Sequence, residues 1–220
     1  MKISYNYVSV VALGNFNPSI LSVDFLKQVC KIDLGKPRVE SPPDIPIHKV
    51  LQFENFVFIA ALDRLEIKET AIKDISQTRT LEFFNSYYSE LRHTPLKAVG
   101  VNINSKLHPK TRDTTAVIAE KVKNPGFFLD FLGVGQANVT ETAVFKEDEK
   151  IWLASNYRLE KVRGLARHIN VSKEGDYFNV NYNYEAGNLH EDKSRLDLLI
   201  NGYNNFSQEF LTLVERLEDN

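Results

Sequence analysis

Five basic residues stand within 11 positions, Arg158, Lys161, Arg163, Arg167 and His168, and they form the chain's densest set of side chains able to grip an anion. Gly164 supplies a bend between them, which sets them on the adjacent ends of two antiparallel strands. Side chains placed that way gather along one edge, here opposed only by Glu160. With Tyr157 as a neighbouring ring, the cluster suits either phosphates or an acidic protein partner. The competing reading is a pair of solvated strand ends, balanced by the chain's 29 acidic residues. Arg92, His93, Lys97, Lys106, Lys110 and Arg112 form a second basic stretch with the same two readings.

Other chemistry-bearing residues are sparse. His48, His93, His108, His168 and His190 are far apart, and no two share metal-ligand spacing. His190-Glu191-Asp192 could touch a metal, but an acid at a helix start belongs there as a cap. Asp63, Arg64 and Glu66 interrupt an apolar run. Asp63 is either a carboxylate poised in a cleft or the point where a strand leaves the core. Gly133-Val134-Gly135-Gln136-Ala137-Asn138 resembles the opening of a dinucleotide fingerprint but lacks its third glycine and precedes a strand, so it reads as a connector. No Walker loop, zinc-protease His pair or nucleophile elbow is present. The residues therefore point to no catalytic site, no cofactor and no metal.

The elements that must position these residues follow from periodicity. Leu196, Leu199, Tyr203, Phe206, Phe210, Leu213 and Leu217 keep a 3-4-3-4 spacing, which predicts one apolar stripe on a helix over 192–217. Gly202 weakens its middle, yet the stripe continues through Tyr203, so the helix should bend there without ending. Before it, Phe178, Val180, Tyr182 and Tyr184 alternate with Asn179, Asn181, Asn183 and Glu185, the period of a half-buried strand. The polar side of that strand is either a wet sheet surface or a subunit contact made through hydrogen bonds. Strands at 138–146, 150–161, 164–172 and 176–186, joined by short polar turns, describe an antiparallel meander that the long helix covers. A helix over 114–123, capped by Asp113, and an apolar turn at 127–132 precede them.

The N-terminal half reads as strand 3–13, a helix opened by Asn17-Pro18 with Leu21, Phe25 and Val29 on its buried face, and a proline-marked loop. Two apolar runs follow, 47–53 and 56–67, then a helix at 75–91 and a strand around Val99, Val101 and Ile103. That is the β-α-β-β-α-β order of ferredoxin-like folds. The fold class is α+β, with residues 1–110 forming one α+β half and 111–220 the helix, meander and terminal helix packed closely on it.

Composition narrows the function. With a net charge of −2, 43% hydrophobic and 25% charged residues, the chain has an ordinary globular balance and no overall pull toward nucleic acid or anionic lipid. Cys30 stands alone, so it reads as a buried helix thiol. No apolar run reaches the ~18 residues of a membrane span, and no leader pattern follows Met1. The sequons at Asn138, Asn170 and Asn205 then read as chance, and the expected location is cytoplasmic.

Asn55-Phe56-Val57-Phe58, Leu62-Asp63-Arg64-Leu65, an aromatic helix and Ala98-Val99-Gly100-Val101-Asn102-Ile103-Asn104 together resemble a sporadically distributed bacterial family of unassigned function. The resemblance lies in layout: a Gly-containing strand ending near an Asn, and a final helix with an internal Phe, matched by Phe206 or Phe210. That family carries arginines around the Gly where this chain has Ala98, Val99 and Val101. The resemblance implies no catalytic residues. The reading is of a non-catalytic binding or assembly protein acting through a protein partner or self-association as a homodimer. The alternative is nucleic-acid binding by the 158–168 patch; no membrane is involved.

Overall fold

In the computed structural model, which describes residues 1–42, 47–132, 137–147, 150–162 and 165–219, the alternating segments pair into one antiparallel sheet. Its strands are β1 (Lys2–Gly14), β2 (Val39–Glu40), β3 (His48–Gln52), β4 (Phe56–Ala61), β5 (Arg64–Glu69), β6 (Leu96–His108), β7 (Ala137–Glu147), β8 (Lys150–Val162), β9 (Leu165–Glu174) and β10 (Tyr177–Ala186). They lie side by side in the order β2-β3-β4-β5-β1-β6-β10-β9-β8-β7. The helices are α1 (Thr80–Glu90), α2 (Arg112–Lys123), α3 (Pro125–Leu132), α4 (Ser194–Asn201) and α5 (Tyr203–Glu218). The chain is thus a mixed α+β protein. Among the described residues no helix is long and apolar enough to cross a membrane.

Alternation decides which side of the sheet is covered. Val8, Val10 and Ala12 on β1, Val99, Val101 and Ile103 on β6, and Phe178, Val180 and Tyr182 on β10 are buried. They meet Phe83 of α1 through Phe56 and Phe58, and Phe210 of α5 through Tyr5 and Tyr182. The intervening residues, Asn102, Asn104, Asn179, Asn181 and Asn183 among them, are only half-buried. One face is core; the other is open.

Three expectations need correction. Asn17 does cap, accepting from the Ser19 N–H at 3.1 Å, but the chain leaves the helix at Leu21, where ψ is 101°. Only a 3-10 turn (Pro18–Ile20) and a five-residue π turn (Phe25–Val29) form, and Val29 is 41% exposed. The run 56–67 is not one strand. It reverses at Leu62-Asp63 into β4 and β5, and this extra reversal makes β5 antiparallel to β1, so the ferredoxin-like order does not hold. Strands β7 to β10 are sequential neighbours, yet they form no separate sheet, because β10 pairs with β6 from Phe178–Leu107 to Ala186–Val99.

The terminal stripe breaks into α4 and α5 at Gly202. Hydrogen bonding carries across, with Gly202 N donating to Leu198 O at 3.0 Å and Phe206 N to Gly202 O at 3.1 Å. A Cβ at Gly202 would lie 2.5 Å from Phe206 Cζ and 2.7 Å from Leu198 O. Glycine is needed because the Phe206 ring folds back over this turn to stack on Tyr184, with ring centres 3.8 Å apart.

Candidate functional site

The open face carries a lattice of side-chain amides, set by strand register. Asn104 on β6 stands opposite Asn181 on β10, which stands opposite Asn170 on β9 and, through it, Asn156 on β8. One row along, Ser9, Asn102, Asn183 and His168 line up across β1, β6, β10 and β9. Asn183 Nδ2 donates to Asn102 Oδ1 at 2.9 Å, and Asn6 Nδ2 donates to Asn104 Oδ1 at 2.6 Å. Gly100 makes room for this. A Cβ there would sit 3.0 Å from Asn183 Nδ2, so the amide can lie across onto β6 and also reach Val101 O at 3.4 Å. Asn181 Oδ1 is screened from solvent and has no hydrogen-bond partner among the described residues. It faces a groove of about 520 Å³ lined by Asn6, Asn104, Lys106, Asn170 and Asn179. An amide is donor and acceptor at once, so the lattice offers both roles on a surface that stays half-open among the described residues.

Some charges on this face are paired, while Lys106 lies over the Tyr177 ring. Glu66 is held by Arg64 at 2.8 Å and Lys68 at 3.2 Å, and His168 Nε2 lies 3.4 Å from Glu185 Oε2. Beyond this charged strip the face carries half-buried Val57 and Ile59 on β4, which Glu66 and Lys68 of β5 separate from Val11 on β1.

The basic cluster divides between the two faces. Arg158 stands opposite His168 and Leu159 opposite Arg167, and since neighbours along a strand point to opposite faces, Arg167 and His168 cannot share a surface. His168 is on the open face; Arg167 turns into the core side and is buried. Its Nη1 lies 2.8 Å from Glu209 Oε1 on α5. Glu209 also accepts from the Tyr184 hydroxyl, while the Tyr184 and Tyr182 hydroxyls are 3.2 Å apart. Burial, chiefly, pushes the Tyr184 phenol far above its usual range, with Tyr182 and Glu209 adding to it. For Tyr157, Arg158 and Lys161 only strand positions are described, and Arg163 lies outside the described residues. Glu209 has no sequence signal beyond its place beside the apolar stripe.

The remaining candidates sit apart. Asp192 accepts from the Ser194 N–H at 3.0 Å and contacts Arg195 Nε at 3.3 Å, which makes it part of the entry to α4. Asp63 is exposed in the turn between β4 and β5. Cys30 is buried, and burial, with Glu90 adding to it, pushes its thiol up to about 12. Residues 133–136 of the glycine segment lie outside the described residues. No family model matches the chain, and neither does any curated protein. Among solved structures it is similar to DynU16, a protein in the dynemicin biosynthetic locus. That likeness covers 97% of this chain and 98% of the other at 10% identity and a TM-score of 0.26, which carries no argument.

Proposed function

We infer that the chain is a non-catalytic assembly protein that binds a second copy of itself through the open sheet face. The amide lattice carries this reading. Because each amide both donates and accepts, a row of them is complementary to its own two-fold copy, as an isologous contact requires. Size fits as well. The strands β1, β6, β10, β9 and β8 each run at least ten residues, which at ~4.8 Å spacing and ~3.4 Å rise gives a face of roughly 24 by 34 Å. That is ~800 Å², the share one partner gives to a standard interface. The charged Arg64, Glu66 and Lys68 of β5 would lie toward the rim of the contact and the amides at its centre.

Nucleic acid is the weaker reading. Arg64, Glu66 and Lys68 on the open face are paired with one another, and Arg167, one of the candidate phosphate contacts, is committed to Glu209. Sedimentation velocity over a wide concentration range tests the reading: a reversible monomer–dimer shift supports it. A chain that stays monomeric throughout, or one that is retained with DNA or RNA on a filter at low salt and released as salt rises, would replace it.

A further inference from the structure

Two basic features that are far apart in sequence meet at one end of the sheet. The C-terminal end of α1 brings Arg92 and His93, the loop between β10 and α4 brings His190 and Lys193, and the four line a cavity of about 440 Å³. Its floor is apolar, built from the Leu96, Leu189 and Leu196 side chains with the Tyr88 ring at one side. Leu96, Leu189 and Leu196 belong to the core, so the floor is fixed by packing.

The walls are fixed too. Leu189 N donates to Lys97 O at 3.1 Å, which ties the β10–α4 loop to the start of β6. Asn188 takes a left-handed φ of 54°, and its carbonyl accepts from Glu191 N and Asp192 N at 3.0 and 3.1 Å. Arg195 braces the same loop through Gly187 O at 3.2 Å. On the opposite wall Arg92 Nε donates to Ser89 O at 3.1 Å, which orients the guanidinium; among the described residues its two Nη groups make no hydrogen bond or ion pair. Among the described residues, His93 and Lys193 make no side-chain hydrogen bond or ion pair. His190 contacts only Glu191, at 3.5 Å. One carboxylate, Asp197, lines the cavity against Arg92 and Lys193, so a surplus of positive charge faces inward.

We propose that this cavity is a binding site for a small amphiphilic anion: a carboxylate or phosphate head on an apolar, ring-sized body. The volume lies within the ~300–1,000 Å³ of small-molecule sites. A guanidinium offers paired N–H groups to carboxylate or phosphate oxygens, and an ammonium adds a point charge beside them. The imidazoles of His93 and His190 supply further donors, and the leucine floor with Tyr88 takes the apolar body. The site is separate from the open face and does not depend on self-association.

Phenyl phosphate is a suitable probe, followed through the imidazole C–H resonances of all five histidines, with assignments from single His→Gln substitutions. The expected result is saturable shifts at His93 and His190 alone, while His48, His108 and His168 stay in place. Inorganic phosphate and phenol, each lacking half of the chemistry, should bind at least tenfold more weakly. The double substitution Arg92→Ala, Lys193→Ala should abolish the shifts with the other three histidine signals unchanged, which shows the fold to be intact. The proposal is overturned by the absence of a saturable shift, by equal shifts at all five histidines, by phosphate binding as tightly as phenyl phosphate, or by full binding in the double variant.

Discussion

Replacing Glu209 by alanine should destabilise the fold more than replacing Arg167, although the two share one ion pair. Arg167 Nη1 and Glu209 Oε1 are 2.8 Å apart, and the arginine side chain is 10% exposed against 26% for the glutamate. Without Glu209, a guanidinium whose Nε already lacks an acceptor among the described residues is left buried and unpaired, and the Tyr184 hydroxyl loses its charged acceptor and keeps only the Tyr182 oxygen. Breaking a fully buried pair costs ~3–5 kcal/mol, and the partial exposure of Glu209 brings the expectation for Glu209→Ala to ~2–4 kcal/mol. Without Arg167, the carboxylate can hydrate and still accepts from Tyr184, so Arg167→Ala should cost only ~1–2 kcal/mol. Urea unfolding measures both as midpoint shifts at unchanged slope. Repeating it at high salt should leave the difference intact, because buried pairs are screened little. The double substitution Arg167→Met, Glu209→Leu, which removes both charges, should lie closer to the native protein than Glu209→Ala alone. Equal effects below ~0.5 kcal/mol for both single variants, as at ordinary surface sites, would refute the buried network.

Three further outcomes follow from the packing. Phe210 is fully buried, so Phe210→Ala should cost ~3–5 kcal/mol, and the half-buried Phe206, stacked on Tyr184, about half of that, both read as denaturant midpoints. Gly202→Ala should destabilise the protein by ~1–3 kcal/mol although alanine is the better helix former, since the added methyl would meet the Leu198 carbonyl and the Phe206 ring. Tyr87, Tyr182, Tyr184 and Tyr203 are all raised above the usual phenol range, mainly by burial. Their contribution to stability is therefore complete below the ordinary tyrosine value near pH ~10 and is lost as pH rises above it. Phenolate absorbance should accordingly show a late group of tyrosines that ionise only as circular dichroism reports unfolding.

The parts of the fold that are legible in the sequence are those with one buried face. Asn179, Asn181 and Asn183 alternate with buried rings because β10 has core on one side only, and the stripe from Leu196 to Leu217 persists because α4 and α5 press a single side on the sheet. Where both sides are partly covered the period disappears. The run 56–67 is nearly all apolar because Val57 and Ile59 are half-buried on the open face while Phe56 and Phe58 are buried beneath. Its turn at Leu62-Asp63 carries no glycine, proline or asparagine, and Asp63 alone is a weak mark of it. The basic cluster failed as one surface for a different reason. Arg167 and His168 are consecutive, and the period-2 rule that reads β10 correctly also puts them on opposite faces. Contacts such as Asn102 with Asn183, 81 positions apart, and the meeting of His93 with His190 come from strand order, which a single sequence does not spell out.

Self-association through the open face is tested most directly at Asn181, the centre of the amide lattice. Sedimentation equilibrium of the native chain and of Asn181→Lys, run side by side, should give a reversible dimer for the first and a monomer for the second. A two-fold contact would bring the two lysines of the variant together, and like charges facing each other are strongly disfavoured. The urea midpoint of the variant, taken at low protein concentration, should match that of the native chain. A native chain that remains monomeric, or an Asn181→Lys dimer as tight as the native one, would contradict the account.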